Sequence, residues 1–456
     1  MSASKPIKPF NLAIVGGGIT GLTLAITLLQ HNVPFTLYES ASKFGEIGAG
    51  VGFGPNAVKA MGLISPGMQE AYQRCGTKQW QSKQDVWFTT RVADRRKTTT
   101  TATAASGTAS AADGDGETFT YAGRPGYHVG DALWEIRYPN FEEIGGVGGV
   151  HRAHFLDQLV QLIPSSVARF GKRLVDVTKA GDGSEDAVLH FADGTTAQHS
   201  AVLGCDGIKS QTRKLLLGSD KYNAVFSGKV AYRGLVPMTR AVQLLGEEKA
   251  MNSQIYFGYH GHILTFPIEK GKTMNVVAFA SRDDWTAPNW VVQVSKEELL
   301  ADFENWGPPA TTIVSAMERH DVWALFDHPP APTFYGTEPR ICLVGDAAHA
   351  TTPHQGSGAG MGIEDCYVLG NLIGEATSVQ DLDKVFQAYE EVRKTRGQKV
   401  VTTSREAGQL WDFEAEGIKD DLDALQRNME VRMHWIWNND LAADLEKAKA
   451  IFRQST

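Results

Sequence analysis

The sequence predicts an α/β protein with a discontinuous Rossmann-like domain, an antiparallel-sheet domain and a helical C-terminal region. Three observations lead to this fold class. A strand, a glycine-rich turn and a helix open the chain, short alternating segments occupy its middle, and helical periodicity dominates from Leu382 onward. With 456 residues, the chain also exceeds the length at which one hydrophobic core keeps growing, so we expect more than one domain.

The N-terminal unit reads as strand, turn, helix and strand. Residues 12–15 and 35–38 are strand-like, and residues 22–29 have helical spacing. In the turn, Gly16 allows the tight bend, Gly18 lets a pyrophosphate approach the backbone, and Gly21 allows close helix packing. Glu39, at the end of the second strand, can accept hydrogen bonds from ribose hydroxyls. The unit therefore predicts a dinucleotide site, with a plain turn and a solvated Glu39 as the alternatives.

Alternating or β-branched segments follow this unit and are bounded by turn residues. We expect them to form a largely antiparallel sheet, and they cover residues 187–191, 229–236, 253–259, 262–267 and 275–280. Residues 98–116 are rich in Thr, Ala, Ser and Gly without any period, which predicts a mobile surface insertion to which we assign no function. Residues 341–344 form another buried-type strand, and a helical pattern runs from Gly360 to Ile373.

Composition excludes several classes of function. The net charge of -8 argues against nucleic-acid binding, so small molecules are the expected partners. Four cysteines lie far apart, and the histidines lack metal-ligand spacing, so we expect neither disulfides nor a metal site. The first residues lack a signal peptide's apolar region, and no run approaches a membrane span, so we expect a cytoplasmic protein. The sequence leaves monomer and homodimer open.

Two later motifs indicate which dinucleotide is bound. The first is Gly-Cys-Asp-Gly at residues 204–207, with Arg213 shortly after, and the second is Gly-Asp-Ala-Ala-His at residues 345–349, followed by the glycine-rich turn 356–360. They resemble the D-G and G-D motifs of the single-component FAD-dependent aromatic hydroxylases. The resemblance implies FAD as cofactor and a fold like that of p-hydroxybenzoate hydroxylase. Each motif alone could be a capped turn.

The same resemblance assigns further cofactor contacts. Asp346 would hold the FAD ribitol, Asp206 with Arg213 would shape the region where flavin and nicotinamide meet, and Arg152 would lie along the FAD, with a surface salt bridge as its alternative. The glycine-rich backbone permits close approach to a planar ring, and the residues expected there are Gly358, Gly360 and Met361.

A second dinucleotide fingerprint is missing from the sequence. The glycines of residues 145–149 precede Val150 without the helix start that the fingerprint requires. NADH or NADPH therefore has no Rossmann domain of its own, and the resemblance implies that it docks transiently as co-substrate.

These motifs divide the chain into three regions. We expect the FAD-binding domain to comprise residues 1–79, 148–219 and 334–373, and the substrate domain to comprise residues 80–147 and 220–333. Residues 374–456 would form the C-terminal helical region.

Within the hydroxylase family, the salicylate hydroxylases are the most similar group. The similarity rests on residues 259–268, 275–279, 353–360 and 435–441. It implies hydroxylation by a flavin C4a-hydroperoxide, formed with NAD(P)H and O₂, that converts salicylate to catechol and CO₂. Residues 231–235 also resemble hydroxylases of phenolic polyketides, which dearomatise their substrates, although Phe266 favours salicylate. A flavin-binding redox sensor or scaffold without catalysis is the third hypothesis.

The candidate active-site residues follow from this chemistry. A base that removes the phenol proton would assist attack on the ring, and histidine suits this role. His262 is the candidate base, because strand alternation places it opposite Ile263, and His354 is the rival. Arg233 could pair with the substrate carboxylate or form a structural ion pair. Phe266 and Trp87 could form an apolar wall or pack in the core.

Overall fold

A computed structural model of the chain describes residues 6–45, 50–95, 119–121, 124–139, 148–181 and 183–454. The predicted insertion at residues 98–116 lies outside these ranges.

The strands and helices are numbered in chain order. The strands are β1 Leu12–Val15, β2 Phe35–Tyr38, β3 Gly50–Gly52, β4 Val86–Val92, β5 Phe119–Tyr121, β6 Arg124–Tyr127, β7 Ala132–Arg137, β8 Gly149–His151, β9 Ala168–Arg169, β10 Leu174–Lys179, β11 Ala187–Phe191, β12 Thr196–His199, β13 Ala201–Gly204, β14 Val225–Pro237, β15 Gln254–Gly258, β16 Gly261–Ile268, β17 Thr273–Ser281, β18 Val291–Gln293, β19 Asp321–Asp327, β20 Tyr335–Thr337 and β21 Arg340–Leu343. The helices are α1 Ile19–Leu29, α2 Pro55–Ile64, α3 Pro66–Cys75, α4 Arg152–Val160, α5 Gln211–Leu217, α6 Met238–Leu245, α7 Glu247–Met251, α8 Lys296–Asp302, α9 Ala310–Ser315, α10 Asp346–His349, α11 Gly358–Glu375, α12 Asp381–Trp411, α13 Leu422–Arg432, α14 His434–Trp437 and α15 Leu441–Gln454.

The first sheet carries the predicted dinucleotide unit. Its six strands run in the order β20-β21-β13-β1-β2-β9, and β1 pairs in parallel with both β2 and β13. All residues of β1, β13 and β21 are buried, as expected for parallel strands that are covered on both faces. Because β1, β13 and β21 are parallel, the turns that follow them meet at one edge of the sheet.

The second large sheet forms the centre of the other domain. Its eight strands run in the order β18-β19-β14-β17-β16-β15-β4-β7, and all neighbouring pairs are antiparallel except β15 and β4. This confirms the antiparallel sheet predicted from the alternating segments, with one correction. Strand β11 lies instead in a separate sheet with β10 and β12. Alternation predicts that β11 has one buried face but does not say which strands pair with it. Here β11 pairs with β10 and β12, its neighbours in the sequence.

The C-terminal region is mostly helical, as predicted. Helix α12 extends over 31 residues and joins two cores. Its first half, with Val385 and Phe386, packs into the core of the dinucleotide domain, whereas Leu410 and Trp411 pack beneath the eight-stranded sheet. The C-terminal helices therefore help to hold the two sheets together. The domain boundaries given above remain our proposal.

None of the helices in the described ranges is both long enough and apolar enough to cross a membrane.

Candidate active site

A cleft lies at the edge of the six-stranded sheet, after β1, β2 and β13. It encloses about 410 Å³ and is lined by Gly16, Gly18 and Glu39, among others. Gly16 has a φ of +105°, and a Cβ there would collide with the Cys205 carbonyl. A Cβ at Gly21 would overlap the Gly16 carbonyl oxygen. Only glycine fits both positions, so the turn keeps its backbone open to a ligand.

The Glu39 carboxylate lies beside the N-terminus of α1, and both line this cleft. Gly18 is the N-cap of α1 and provides no side chain to cap the helix. The Glu39 carboxylate accepts hydrogen bonds from the backbone N–H groups of Gly17 at 2.8 Å and Ala41 at 2.7 Å. The arrangement offers helix N–H donors for a pyrophosphate and a carboxylate for ribose hydroxyls, as a dinucleotide requires.

The Asp206 carboxylate lines the cleft, but its oxygens serve the adjacent helix α5. They accept hydrogen bonds from the Ser210 hydroxyl at 2.6 Å, the Gln211 N–H at 2.8 Å, and both the hydroxyl and the N–H of Thr212 at 2.6 and 3.0 Å. Asp206 therefore orders the turn that follows β13. A ligand in the cleft would meet a carboxylate that is already engaged.

The Arg213 side chain joins several segments of the backbone. Its guanidinium donates to the backbone carbonyls of Ala348 at 2.7 Å, Pro329 at 2.8 Å and Tyr222 at 2.9 Å, and it does not line the cleft. Burial lowers the pKa of Arg213 to about 10. Its expected role, to shape with Asp206 the region where flavin and nicotinamide meet, remains a prediction. Its five fixed donors suit it to join several chain segments, which a motif alone does not reveal.

A second cavity adjoins the cleft. It encloses about 250 Å³ between the eight-stranded sheet and the turn that precedes α11. Four residues line both spaces, Ile19, Arg152, Asp346 and Ala359. The cleft and the cavity are therefore neighbours, and an extended ligand held by the glycine turn can reach the cavity past Arg152 and Asp346.

The three residues predicted to contact the flavin near the start of α11 lie in different surroundings. Gly358 lines the cavity, but Gly360 and Met361 do not. A Cβ at Gly360 would lie 3.0 Å from the Ala57 Cβ, and Met361 is fully buried in a hydrophobic core. These two residues pack helix α11 into the protein, and their role as cofactor contacts remains a prediction. Past the turn, the side chains of a helix point away from the ligand that its N-terminus approaches.

Several aromatic side chains line the cavity. Phe266 and Trp87 line it as predicted, together with Phe279 and Trp437. The Trp87 and Trp437 rings meet edge to face with centroids 5.1 Å apart. Because Trp437 comes from α14 and Trp87 from β4, the C-terminal helices complete the wall. A flat apolar molecule would be well covered here.

Arg233 brings a positive charge to this apolar wall. It lies on β14, and its guanidinium sits 4.8 Å from the centre of the Trp323 ring. Its Nε is buried without a hydrogen-bond partner, and it forms no ion pair with the rest of the described chain. Burial, with a smaller contribution from the Arg152 guanidinium, lowers the pKa of Arg233 to about 10. The predicted structural ion pair is therefore not found among these residues.

The two candidate histidines lie in successive layers. His354 lines the cavity, whereas His262 is fully buried behind it, with ring centroids 5.3 Å apart. As alternation predicts, His262 lies on the opposite face of the sheet from Ile263, but it stacks on Phe279 at 4.2 Å. The predicted direction is right, but the prediction that His262 faces the cavity is wrong, because Phe279 and His354 stand in front of it.

Burial lowers the pKa of both histidines. Burial, followed by the neighbouring charge of His262, holds the pKa of His354 well below its usual range. Burial also lowers the pKa of His262, although Asp412 opposes this by accepting a hydrogen bond from Nδ1 at 2.6 Å. His349, expected to be structural, is buried and bonds to Asp365 at 2.6 Å.

Sequence reasoning missed Asp412, Phe279 and Trp437 as individual site residues. Asp412 lies 150 positions from His262, and Trp437 lies 350 positions from Trp87. The similarity of residues 275–279 and 435–441 to the salicylate hydroxylases was the available signal for Phe279 and Trp437. Nothing in the pattern around Asp412 predicts its contact.

The chain is similar to known protein families and to known enzymes. The chain matches the family described as FAD binding domain over residues 158–404, and the family described as NAD(P)-binding Rossmann-like domain over residues 14–49, which is the N-terminal unit. The 6-methylsalicylate 1-monooxygenase of Aspergillus terreus is 39% identical over 97% of this chain and 92% of its own. A salicylate hydroxylase of Pseudomonas putida is 36% identical over 98% and 96%, respectively. The solved structure of a salicylate hydroxylase substrate complex is 33% identical, with a TM-score of 0.79 over 97% of this chain and 98% of the other.

Proposed function

The chain belongs to the FAD-dependent aromatic monooxygenases of the salicylate hydroxylase type, and from that premise we propose that it converts salicylate, or a ring-substituted salicylate, to the corresponding catechol. It is an enzyme that uses FAD with NADH or NADPH. The proposed reaction consumes salicylate, O₂, NAD(P)H and two protons, and it yields catechol, CO₂, water and NAD(P)⁺.

One observation carries the choice of substrate. Arg233 presents a guanidinium to an aromatic cavity, and it has no carboxylate partner within the described residues. Burying an unpaired charge is costly, and a ligand carboxylate would compensate it through charge-assisted hydrogen bonds. Salicylate combines this carboxylate with a flat ring that the walls formed by Phe266 and Trp87 can cover.

The cleft residues fit the FAD that the family binds. Gly16 and Gly18 would hold the pyrophosphate and Glu39 would accept hydrogen bonds from the ribose, while Asp346 and Arg152 line both the cleft and the cavity. When bound and reduced by NAD(P)H, FAD supplies the activation of O₂ for transfer of one oxygen atom to the substrate ring. The protein's own task is to orient the substrate, exclude water and handle protons.

We assign the phenol proton to His354 rather than His262. His354 lines the cavity, and its depressed pKa keeps it neutral, so that one ring nitrogen can accept a proton. Its Nδ1 has no hydrogen-bond partner in the described part of the protein. His262, paired with Asp412, supports it from behind.

The test is substrate-stimulated NAD(P)H oxidation by the purified holoenzyme. We expect salicylate and 6-methylsalicylate to stimulate oxidation, with catechol and labelled CO₂ released from carboxyl-labelled salicylate. A hydroxylated product that retains the carboxylate would refute the decarboxylating reaction. Turnover of a phenolic polyketide without any turnover of salicylate would favour the alternative function instead.

A further inference from the structure

A chain of hydrogen bonds begins behind His354. The His262 Nδ1 bonds to one oxygen of Asp412 at 2.6 Å, and the Lys229 ammonium bonds to the other oxygen. His262 and Asp412 are completely buried, and the Lys229 side chain is 8% exposed. The inner half of the chain thus connects a buried imidazole to a buried ammonium.

The outer half continues to the protein surface. Lys229 bonds to the Glu414 carboxylate and, at 2.6 Å, to the Ser281 hydroxyl, which also donates to Glu414 at 2.6 Å. The Glu414 carboxylate bonds to His260 Nδ1 at 2.9 Å. Exposure rises along the way, from 24% for Glu414 to 66% for the His260 side chain. We call the whole set the polar chain, and its members are His262, Asp412, Lys229, Ser281, Glu414 and His260.

His354 links the polar chain to the substrate cavity. It lines the cavity and also the surface crevice that contains Lys229, His260 and Glu414. The Nδ1 of His354 and the Nε2 of His262 are both buried without a partner among the described residues. The two ring centroids lie 5.3 Å apart, so these unpartnered nitrogens are the atoms available for a proton to pass between His354 and His262.

The cost of this arrangement points to a function. Asp412 is the C-cap residue of α12, where the helix dipole disfavours a carboxylate. Apolar side chains of similar volume are often as stable as a buried ionic cluster, or more so. Burial opposes ionisation, but His262 and Lys229 outweigh it and lower the pKa of Asp412 to about 2, so the carboxylate stays charged.

We propose that His354 and the polar chain form the path by which protons move between the substrate cavity and solvent. At the inner end, the phenol O–H bond breaks and its proton bonds to the His354 imidazole. At the outer end, one proton passes from His260 or Glu414 to water, so the charge of the path is restored, and no electron moves along it. In the reverse direction the same path returns the phenol proton and supplies the two further protons that the proposed reaction consumes, and in this respect the inference rests on the proposed function.

Three other charged residues line the crevice, and the two arginines among them form ion pairs outside the polar chain. Arg405 pairs with Asp327, and Arg282 pairs with Asp302. Asp283 also lines the crevice. The two arginines would raise the local positive charge without joining the path, because each is already bonded to its own carboxylate.

The test compares two outer-end variants, Glu414→Gln and His260→Gln, which alter partly exposed side chains and should fold. Glu406→Gln is the matched control, because Glu406 is a surface residue of α12 that pairs with Arg432 outside the path. With salicylate as probe, rapid-mixing experiments separate flavin reduction from hydroxylation. We expect hydroxylation to slow by about tenfold in both path variants, less than the ~10²-fold for losing a general base, with a larger solvent isotope effect and unchanged flavin reduction.

A second readout does not depend on turnover. Oxidised holoenzyme is mixed with salicylate in weak buffer that contains a pH indicator, and binding is followed by the flavin spectrum. We expect a proton to be released on binding, more slowly in the two path variants than in wild type or Glu406→Gln.

Two results would overturn the path. One is salicylate binding to wild type without proton release, and the other is path variants whose isotope effect and release rate equal those of the control. Failure of the proposed function would look different, because wild type would then release no catechol or CO₂ from salicylate.

Discussion

Replacing Arg233 with methionine tests how the cavity selects its substrate. The guanidinium has no protein carboxylate to leave behind within the described residues, so the substitution should remove mainly the interaction with the ligand. Hydrogen bonds to a charged group contribute about 1.5–3 kcal/mol. At about 1.4 kcal/mol per factor of ten, kcat/KM for salicylate should fall by about 10- to 150-fold.

The assay is steady-state NAD(P)H oxidation coupled to catechol detection, with salicylate and salicylamide as paired substrates. Salicylamide lacks the carboxylate, so Arg233→Met should change its weak turnover little. Arg233→Lys should lose less activity than Arg233→Met, because it keeps the charge without the planar fork. Arg240→Met, at an exposed position of α6, is the control. Since the substitution leaves no buried carboxylate of the described residues without its ion-pair partner, the melting temperature of Arg233→Met should equal or exceed that of wild type.

Two results would refute this reasoning. Equal losses with salicylate and salicylamide would mean that Arg233 shapes the cavity without binding a carboxylate. A fall in melting temperature of several degrees would mean that the guanidinium stabilises the fold, for example through its contact with the Trp323 ring.

The remaining predictions concern the cofactor and stability. Gly21→Ala should abolish FAD retention on gel filtration, because its Cβ would overlap the Gly16 carbonyl oxygen; a yellow, stoichiometric flavoprotein would contradict this. Arg213→Met should lower the free energy of unfolding by at least about 2 kcal/mol, because buried backbone carbonyls lose their donor. At low temperature, where the variant is folded, its affinity for FAD should stay within about threefold of wild type, a change smaller than the loss of one ordinary hydrogen bond would cause. Burial lowers the pKa of His328 to about 3 in the folded protein. As pH falls from about 6.5 towards 3, His328 therefore becomes protonated in the unfolded chain but stays neutral in the folded one. Stability should therefore fall over this window by up to about 1.4 kcal/mol per pH unit, and His328→Gln should flatten the slope of a urea-denaturation series; an unchanged slope would assign the acid sensitivity to other groups.

The local patterns of the sequence predicted most of the fold. Strands β1 and β2, helix α1 and the β14–β17 segments follow from the alternation or helical spacing of neighbouring residues, which depends on contacts near in the chain. The misplaced strand β11 shows the limit. Its alternation identifies a half-buried strand but carries no information about which sheet contains it.

The sequence by itself determined the dinucleotide turn. Glycine is required at Gly21 because the Gly16 carbonyl, five residues away, leaves no room for a Cβ, and at Gly16 because the Cys205 carbonyl at the end of the neighbouring strand is also too close. Only the tertiary structure decided which polar side chains face the cavity. The sequence favoured His262 over His354, and only the folded structure shows that Phe279 and Asp412 enclose His262. Arg213 and Arg233 likewise differ only in their neighbours, since distant backbone carbonyls engage one guanidinium and an aromatic cavity borders the other. Burial and partners depend on contacts between residues hundreds of positions apart, and local sequence patterns do not encode these contacts.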